Sequence, residues 1–132
     1  MIKSRDSQST FRLLSETKDY PAGSIRAGSE ADSAMRALAD QYAETGKLEQ
    51  ALEGYQVLFR KIMASNPDPH NDLLNSVSVS RLHTSLATLL RRMGRKDEAV
   101  PLEAARLELW QYWNRKLPNN PFVRRQLEAR LP

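Results

Sequence analysis

The chain contains no cysteine, which excludes disulfides, thiol chemistry and thiolate metal sites together. That composition suits a reducing compartment, and a cytoplasmic location is the expectation. No stretch approaches the about 18 consecutive apolar residues that a membrane helix needs. The N-terminus offers no apolar core for a signal peptide, because Phe11, Leu13 and Leu14 are interrupted and flanked by Arg12, Glu16 and Lys18. The two histidines, His70 and His83, are too few and too isolated for a metal site. Glycine is scarce, at 5 of 132 residues, and 40% of residues are hydrophobic, as in an ordered chain with a core sufficient for one domain. Dinucleotide, Walker and nucleophile-elbow motifs are all missing. Asp97-Glu98, Glu49 and Asp32 are placed to complement helix N-termini, not paired for acid–base work. The expectation is a protein that is not an enzyme and holds no cofactor or metal.

Charge is present but unevenly spread. Residues 1–80 carry 9 basic and 11 acidic side chains, whereas residues 81–132 carry 11 basic and 5 acidic. A basic C-terminal part attracts an acidic partner, protein or nucleic acid, unless the charges only solvate helical surfaces.

The strongest pattern is a phrase that occurs twice. Leu38-Ala39-x-x-Tyr42-x-x-x-Gly46-Lys47-Leu48-x-x-Ala51, with Tyr55 and Phe59 after it, returns 48 residues later. The second version is Leu86-Ala87-x-x-Leu90-x-x-x-Gly94-Arg95-Lys96-x-x-Ala99, with Leu107 after it. A period of this size indicates stacked helix pairs. Ala39 and Ala51 are expected to face each other across the first hairpin, and Ala87 and Ala99 across the second, so that helices approach closely. Gly46 and Gly94 stand where the first helix of each pair must stop, a position that favours left-handed backbone.

In chain order, Phe11-Arg12-Leu13-Leu14 before Pro21 matches Phe59-Arg60-Lys61-Ile62 before Pro69, and Pro118 follows at a similar interval. Residues 7–18 therefore read as the tail of a preceding repeat, or as an unrelated N-terminal helix or arm. Residues 22–29 read as a loop, with Ser29 or Asp32 capping a helix from about residue 30 to 45 that carries Met35, Leu38, Ala39 and Tyr42. A second helix, about 48–64, carries Leu52, Tyr55, Leu58, Phe59, Ile62 and Met63 before two Asx-Pro steps stop it. Asn71 is expected to cap the third, which uses Leu74, Val77, Val79, Leu82, Leu86, Leu89 and Leu90. The fourth, about 96–116, contains Pro101 and so starts late or kinks. It ends in the cluster Leu107, Trp110, Tyr112, Trp113 and Leu117. Trp110 aligns with Ile62 and is expected to be buried; Trp113 aligns with Ser65 and is expected to cover an exposed end. Asn120-Pro121 opens a last helix. The chain as given thus looks like part of a longer array.

Leu38, Ala39, Tyr42, Gly46, Ala51 and Tyr55 match the tetratricopeptide pattern of one helical hairpin, and Ala87, Gly94 and Ala99 match it again, with Leu90 where one aromatic is usual and Glu103 where the second is. The long period, the Asp68-Pro69-His70-Asn71 linker and Pro121-Phe122-Val123-Arg124-Arg125 resemble the bacterial arrays that follow serine/threonine kinase domains. This resemblance implies an all-α, right-handed solenoid of antiparallel hairpins as a single domain over 1–132. Its repeat units would be about 22–69 and 70–118, with partial repeats at 7–18 and 120–130. It also implies a concave face lined by the first helix of each hairpin: Ser33, Arg36, Ala37, Asp40 and Glu44, then Arg81, Thr84, Ser85, Thr88, Arg91 and Arg92. Such a face takes a peptide or helix of a protein partner, and its arginines favour an acidic one. Asp40 would oppose a terminal carboxylate, which excludes that type of recognition. His83 reads as a core histidine. A spacer or self-association role, with homo-oligomers formed through array ends, is one alternative. Weak nucleic-acid binding through Arg91, Arg92, Arg95, Lys96, Arg115, Lys116, Arg124 and Arg125 is another, disfavoured because exposed aromatics are not interleaved.

Overall fold

The computed structural model describes residues 23–129, and the regular elements among them are all α-helices. They are α1 Glu30–Glu44, α2 Leu48–Ala64, α3 Leu73–Arg92, α4 Lys96–Lys116 and α5 Pro121–Glu128. The chain divides into two compact units between Pro67 and Asp68, so α1 and α2 form one unit and α3, α4 and α5 the other. The expected partial repeat at 7–18 lies outside the described residues.

In each unit the repeated phrase closes a hairpin by the same backbone device. Gly46 adopts φ 79° and Gly94 φ 74°. Around the first, Lys47 N donates to Tyr42 O at 2.8 Å and Gly46 N to Ala43 O at 3.2 Å. Around the second, Arg95 N donates to Leu90 O at 2.8 Å and Gly94 N to Arg91 O at 3.1 Å. This paired arrangement satisfies the last carbonyls of a helix while the left-handed residue reverses the chain.

Packing in the first unit rests on Ala39, Ala51, Leu52, Tyr55, Leu58 and Ile62, all buried. α1 and α2 approach closely at Gly54, where an added Cβ would lie 3.2 Å from the Ala39 Cβ. Gly54 therefore supplies the small residue opposite Ala39, a role the repeated phrase does not disclose. The loop before α1 adds Ile25 to the core, and its N–H donates to Lys61 O at 2.9 Å. Met63, placed on the apolar side by periodicity, is 46% exposed.

The second unit is held by aromatic residues. Trp110, Trp113, Leu109 and Val123 form one cluster, with Phe122 edge-on to Trp110 at a centroid distance of 5.8 Å. Trp113 is buried here rather than covering an exposed end. Its indole N–H is shared between Pro69 O, at 2.8 Å, and Ser76 Oγ, at 2.7 Å. The Trp110 N–H donates to Ser80 Oγ at 2.7 Å. Leu74 is 74% exposed and Leu107 44%, so neither belongs to the core. The cap of α3 is Asp72, whose Oδ1 accepts from Leu74 N and Asn75 N at 2.9 and 3.2 Å. Asn71, the expected cap, instead donates from Nδ2 to the Asp68 carboxylate. Pro101 is the sixth residue of α4, which starts at Lys96 all the same. The missing N–H leaves Asp97 O without its usual partner four residues on, on an exposed side of the helix. Asn120 caps α5 as expected, accepting from Phe122 N and Val123 N.

Gly46→Ala and Gly94→Ala each meet no steric obstruction but must place a Cβ in left-handed backbone, so each should lower unfolding free energy by about 1–2 kcal/mol. Gly54→Val should cost a similar or larger amount for a different reason, overpacking of about 1–3 kcal/mol against Ala39. Urea denaturation followed by circular dichroism measures all three.

Candidate interaction surface

The expected binding residues divide by what the fold does with them. In the first unit, Ser29 caps α1 through its Oγ, which accepts from Asp32 N at 3.2 Å. Asp32 returns the arrangement by accepting from Gly28 N at 2.7 Å. Its other oxygen accepts from Arg36 Nη2 at 2.8 Å, and both side chains are buried. Arg36 therefore lies inside the unit as the counter-charge of a buried carboxylate, and not on a surface. Asp40 is half-buried and accepts a hydrogen bond from the Tyr55 hydroxyl, a clasp between α1 and α2. Ser33, Ala37 and Glu44 are exposed, and with Gln41 they make one small and polar stripe along α1.

In the second unit α3 is buried around much of its circumference, at Ser76, Ser78, Val79, Ser80, Leu82, His83, Leu86, Ala87, Leu89 and Leu90. What it leaves accessible in its C-terminal two-thirds is one stripe, with Arg81 and Arg92 exposed and Thr84, Ser85, Thr88 and Arg91 half-buried. Thr84 turns its hydroxyl back to Ser80 O at 3.1 Å, within its own helix. Arg91 makes a two-pronged pair with Glu103, Nε and Nη2 each donating at 2.6 Å. Hydrogen bonding by Arg91, opposed by desolvation, holds the Glu103 carboxyl below its ordinary range, and the same contact raises the Arg91 guanidinium.

Glu103 occupies the repeat position of Tyr55. In the first unit that position clasps the preceding helix through a phenol to Asp40; in the second it does so through a carboxylate to Arg91. The departure from the aromatic pattern is thus an exchange of one cross-helix clasp for another. It commits Arg91 to its own unit and leaves the stripe with Arg81 and Arg92 as its exposed charges.

The basic residues toward the C-terminus are partly committed as well. Arg95 pairs with Glu98 at 2.5 and 2.8 Å. Lys116 donates to His70 O at 3.0 Å and Asn71 Oδ1 at 3.2 Å, above the rings of Tyr112 and Trp113. Arg115, Arg124 and Arg125 are exposed.

Two ionisable side chains lie in the interior of the second unit. His83 is buried, at the register of Met35. Arg106 is also buried, at the register of the fully buried Leu58, and its Nη2 donates to Gln126 O near the end of α5 at 3.0 Å. Neither Arg106 nor the three buried serines of α3 was singled out by sequence periodicity, which counts polar residues as exterior. Among the described residues no group of three or more His, Cys, Asp or Glu is placed to hold a metal ion, and no helix is long and apolar enough to cross a membrane.

Comparison of the chain with protein-family models, curated proteins and solved structures gave no match.

Burial first, and the Arg106 charge second, push the His83 imidazole below its ordinary value of 6.5. The unfolded chain then binds the proton more readily than the folded one, so this contribution is complete above 6.5 and declines as pH falls through that value toward the lower folded pKa. Urea midpoints measured between about pH 7.5 and 5.5 should fall for the native chain and show a shallower fall for His83→Met. In a second test, Ser76→Ala should destabilise by about 1–3 kcal/mol, because it removes one acceptor of a buried indole N–H, and Trp113 fluorescence should shift with it.

Proposed function

We propose that this chain is a non-catalytic protein–protein interaction module of the tetratricopeptide type, which binds an acidic peptide or helix of a partner. The observation that carries the reading is the accessible stripe of α3. On a helix buried around much of its circumference, Arg81, Thr84, Ser85, Thr88 and Arg92 form a continuous strip of small hydroxyl groups between two exposed guanidinium groups. The short side chains leave room for a ligand backbone, and forked donors at the two ends suit carboxylates spaced along it. Arg81 and Arg92 are 11 positions apart, about 16 Å along the helix, or three turns. A helical ligand with carboxylates three turns apart matches that span.

The paired turns at Gly46 and Gly94 support the repeat-family assignment, as do Ala39, Ala51, Ala87 and Ala99, each fully or almost fully buried. The long-helix variety attached to bacterial kinases belongs to the same proposal and rests on the linker and Pro-Phe-Val-Arg-Arg residues alone. A spacer role uses the same fold without the stripe. Nucleic-acid binding would use exposed Arg115, Arg124 and Arg125 instead.

Affinity capture from the source lysate separates these readings when run with and without nuclease, beside the Arg81→Glu/Arg92→Glu protein. Arg36 and Arg91 are left intact because both hold internal carboxylates. A partner protein should survive nuclease and be lost, by at least about tenfold, with the double reversal. Retention by the reversed protein would remove α3 as the binding face, and loss with nuclease would transfer the function to the exposed C-terminal arginines.

A further inference from the structure

The accessible stripe of α3 does not stop at Arg81. Leu74 lies seven residues before it, about two turns, and Arg92 lies 18 residues after Leu74, five turns, so all three stand in one line along the helix. Leu74 is 74% exposed, more than any other large apolar side chain among the described residues. A lone exposed leucine is ordinary on a protein surface. Leu74 differs by its place, because it continues a strip whose other members are short hydroxyl side chains and arginines. Val77, one turn on, is half-buried against the aromatic cluster of the unit and widens this apolar end.

The charge along that line has one sign. No aspartate or glutamate occurs between Asp72 and Asp97, whereas the same interval holds Arg81, Arg91, Arg92, Arg95 and Lys96. Glu103 and Glu98, which approach its C-terminal end, are held by Arg91 and Arg95. The chain's own carboxylates stand at the Leu74 end, where Asp72 caps α3 and Asp68 accepts from Asn71. An acidic ligand residue is therefore favoured over Arg81 and Arg92 and disfavoured over Leu74. In the first unit the register positions of Leu74, Arg81 and Arg92 are Arg26, Ser33 and Glu44. The order of apolar and cationic groups thus belongs to α3 and not to the repeat.

We propose that α3 takes an acidic amphipathic helix of a partner in one direction, antiparallel to itself, and that Leu74 is the anchor that fixes its order. The ligand carries an acid in its first turn over Arg92, a second acid 11 residues later over Arg81, and an apolar residue seven further on over Leu74. This rests on the reading of α3 as the binding face and adds to it a residue order and a polarity. The direction follows from helix electrostatics. An acidic side chain is stabilised at the N-terminus of its own helix, and antiparallel helices set the positive start of one beside the negative end of the other. Both conditions place the ligand's start at the Arg92 end. Thr84, Ser85 and Thr88 then face the middle of the ligand, where small side chains let the two helices lie close enough for both ends to be met.

Fluorescence anisotropy of two labelled helical peptides with the full chain at low salt tests the idea. Both are alanine–glutamine peptides of the same composition. The forward peptide carries glutamate, glutamate and leucine in that order at intervals of 11 and seven, and the reverse peptide carries them in the opposite order. The forward peptide should bind at least about fivefold more tightly than the reverse one. Leu74→Ala, or alanine for the peptide leucine, should each weaken forward binding by about fivefold, and the two together should cost no more than either alone. Far-UV circular dichroism establishes that Leu74→Ala and Arg81→Glu/Arg92→Glu are folded. Equal binding of the two peptides, or forward binding unmoved by Leu74→Ala, overturns the proposal. If that binding is still lost with Arg81→Glu/Arg92→Glu, the acidic-helix reading of α3 stands without it. No binding of either peptide at about 1 mM chain overturns it as well, and the lysate capture then judges α3 by itself. Tighter binding of a labelled single-stranded DNA, lost with the same double reversal, also overturns it and assigns the stripe to nucleic acid.

Discussion

Two buried indole N–H groups decide how the second unit is built. An indole brings a large apolar surface into a core but carries a donor that must be met there. Trp110 and Trp113 are one turn apart on α4, and the acceptors that meet them, Ser80 and Ser76, are one turn apart on α3. The two helices are thereby fixed in axial register as well as in distance. Ser76 also donates to Pro69 O, and that carbonyl accepts from Trp113 in turn, so the segment leading into α3 is tied to the same network. Once the serines are committed inward, the side of α3 left outward is the strip running from Arg81 to Arg92.

The first unit solves the corresponding problem with fewer aromatics. Gly54 lets α2 approach Ala39 closely, and the Tyr55 hydroxyl reaches Asp40 from the next turn-facing position. In the second unit the glycine register is occupied by Leu102 and the tyrosine register by Glu103. A bulkier interface and an ionic clasp accompany each other there. The repeat is conserved at its turns and alanines, while the contacts beside them are rebuilt with different chemistry.

That contrast accounts for what the sequence disclosed. Turn glycines, packing alanines, the Asn120-Pro121 start and the helical character of all five elements are signalled locally, by spacing and by backbone preference. The buried status of Arg36 is not, because a guanidinium at helical spacing looks exterior until Asp32 is seen to be held by Ser29 and Gly28. Ser76 and Ser80 were invisible for the same reason: their partners lie 37 and 30 residues away. Leu74 and Leu107 erred in the opposite sense, since periodicity assigns a leucine to the core whether or not anything covers it. For the binding stripe, the residues named on α3 do lie along its accessible side, while the charge expected from Arg36 and Arg91 is consumed within the units.

Each unit is closed at its two ends by bonds of very different sequence span. The glycine turns join residues five apart, Tyr42 to Lys47 and Leu90 to Arg95. The opposite ends are closed by Ile25 N to Lys61 O, across 36 residues, and by Trp113 Nε1 to Pro69 O, across 44. Closing a long loop costs more chain entropy than closing a short one, so the turn end of each hairpin can form early and the far end only after the helices are in place. The hierarchy also runs in reverse. Transient opening should begin at the Ile25 and Pro69 ends, which makes the glycine turns, closed until the helices themselves unwind, the hinges of whatever breathing the hairpins undergo.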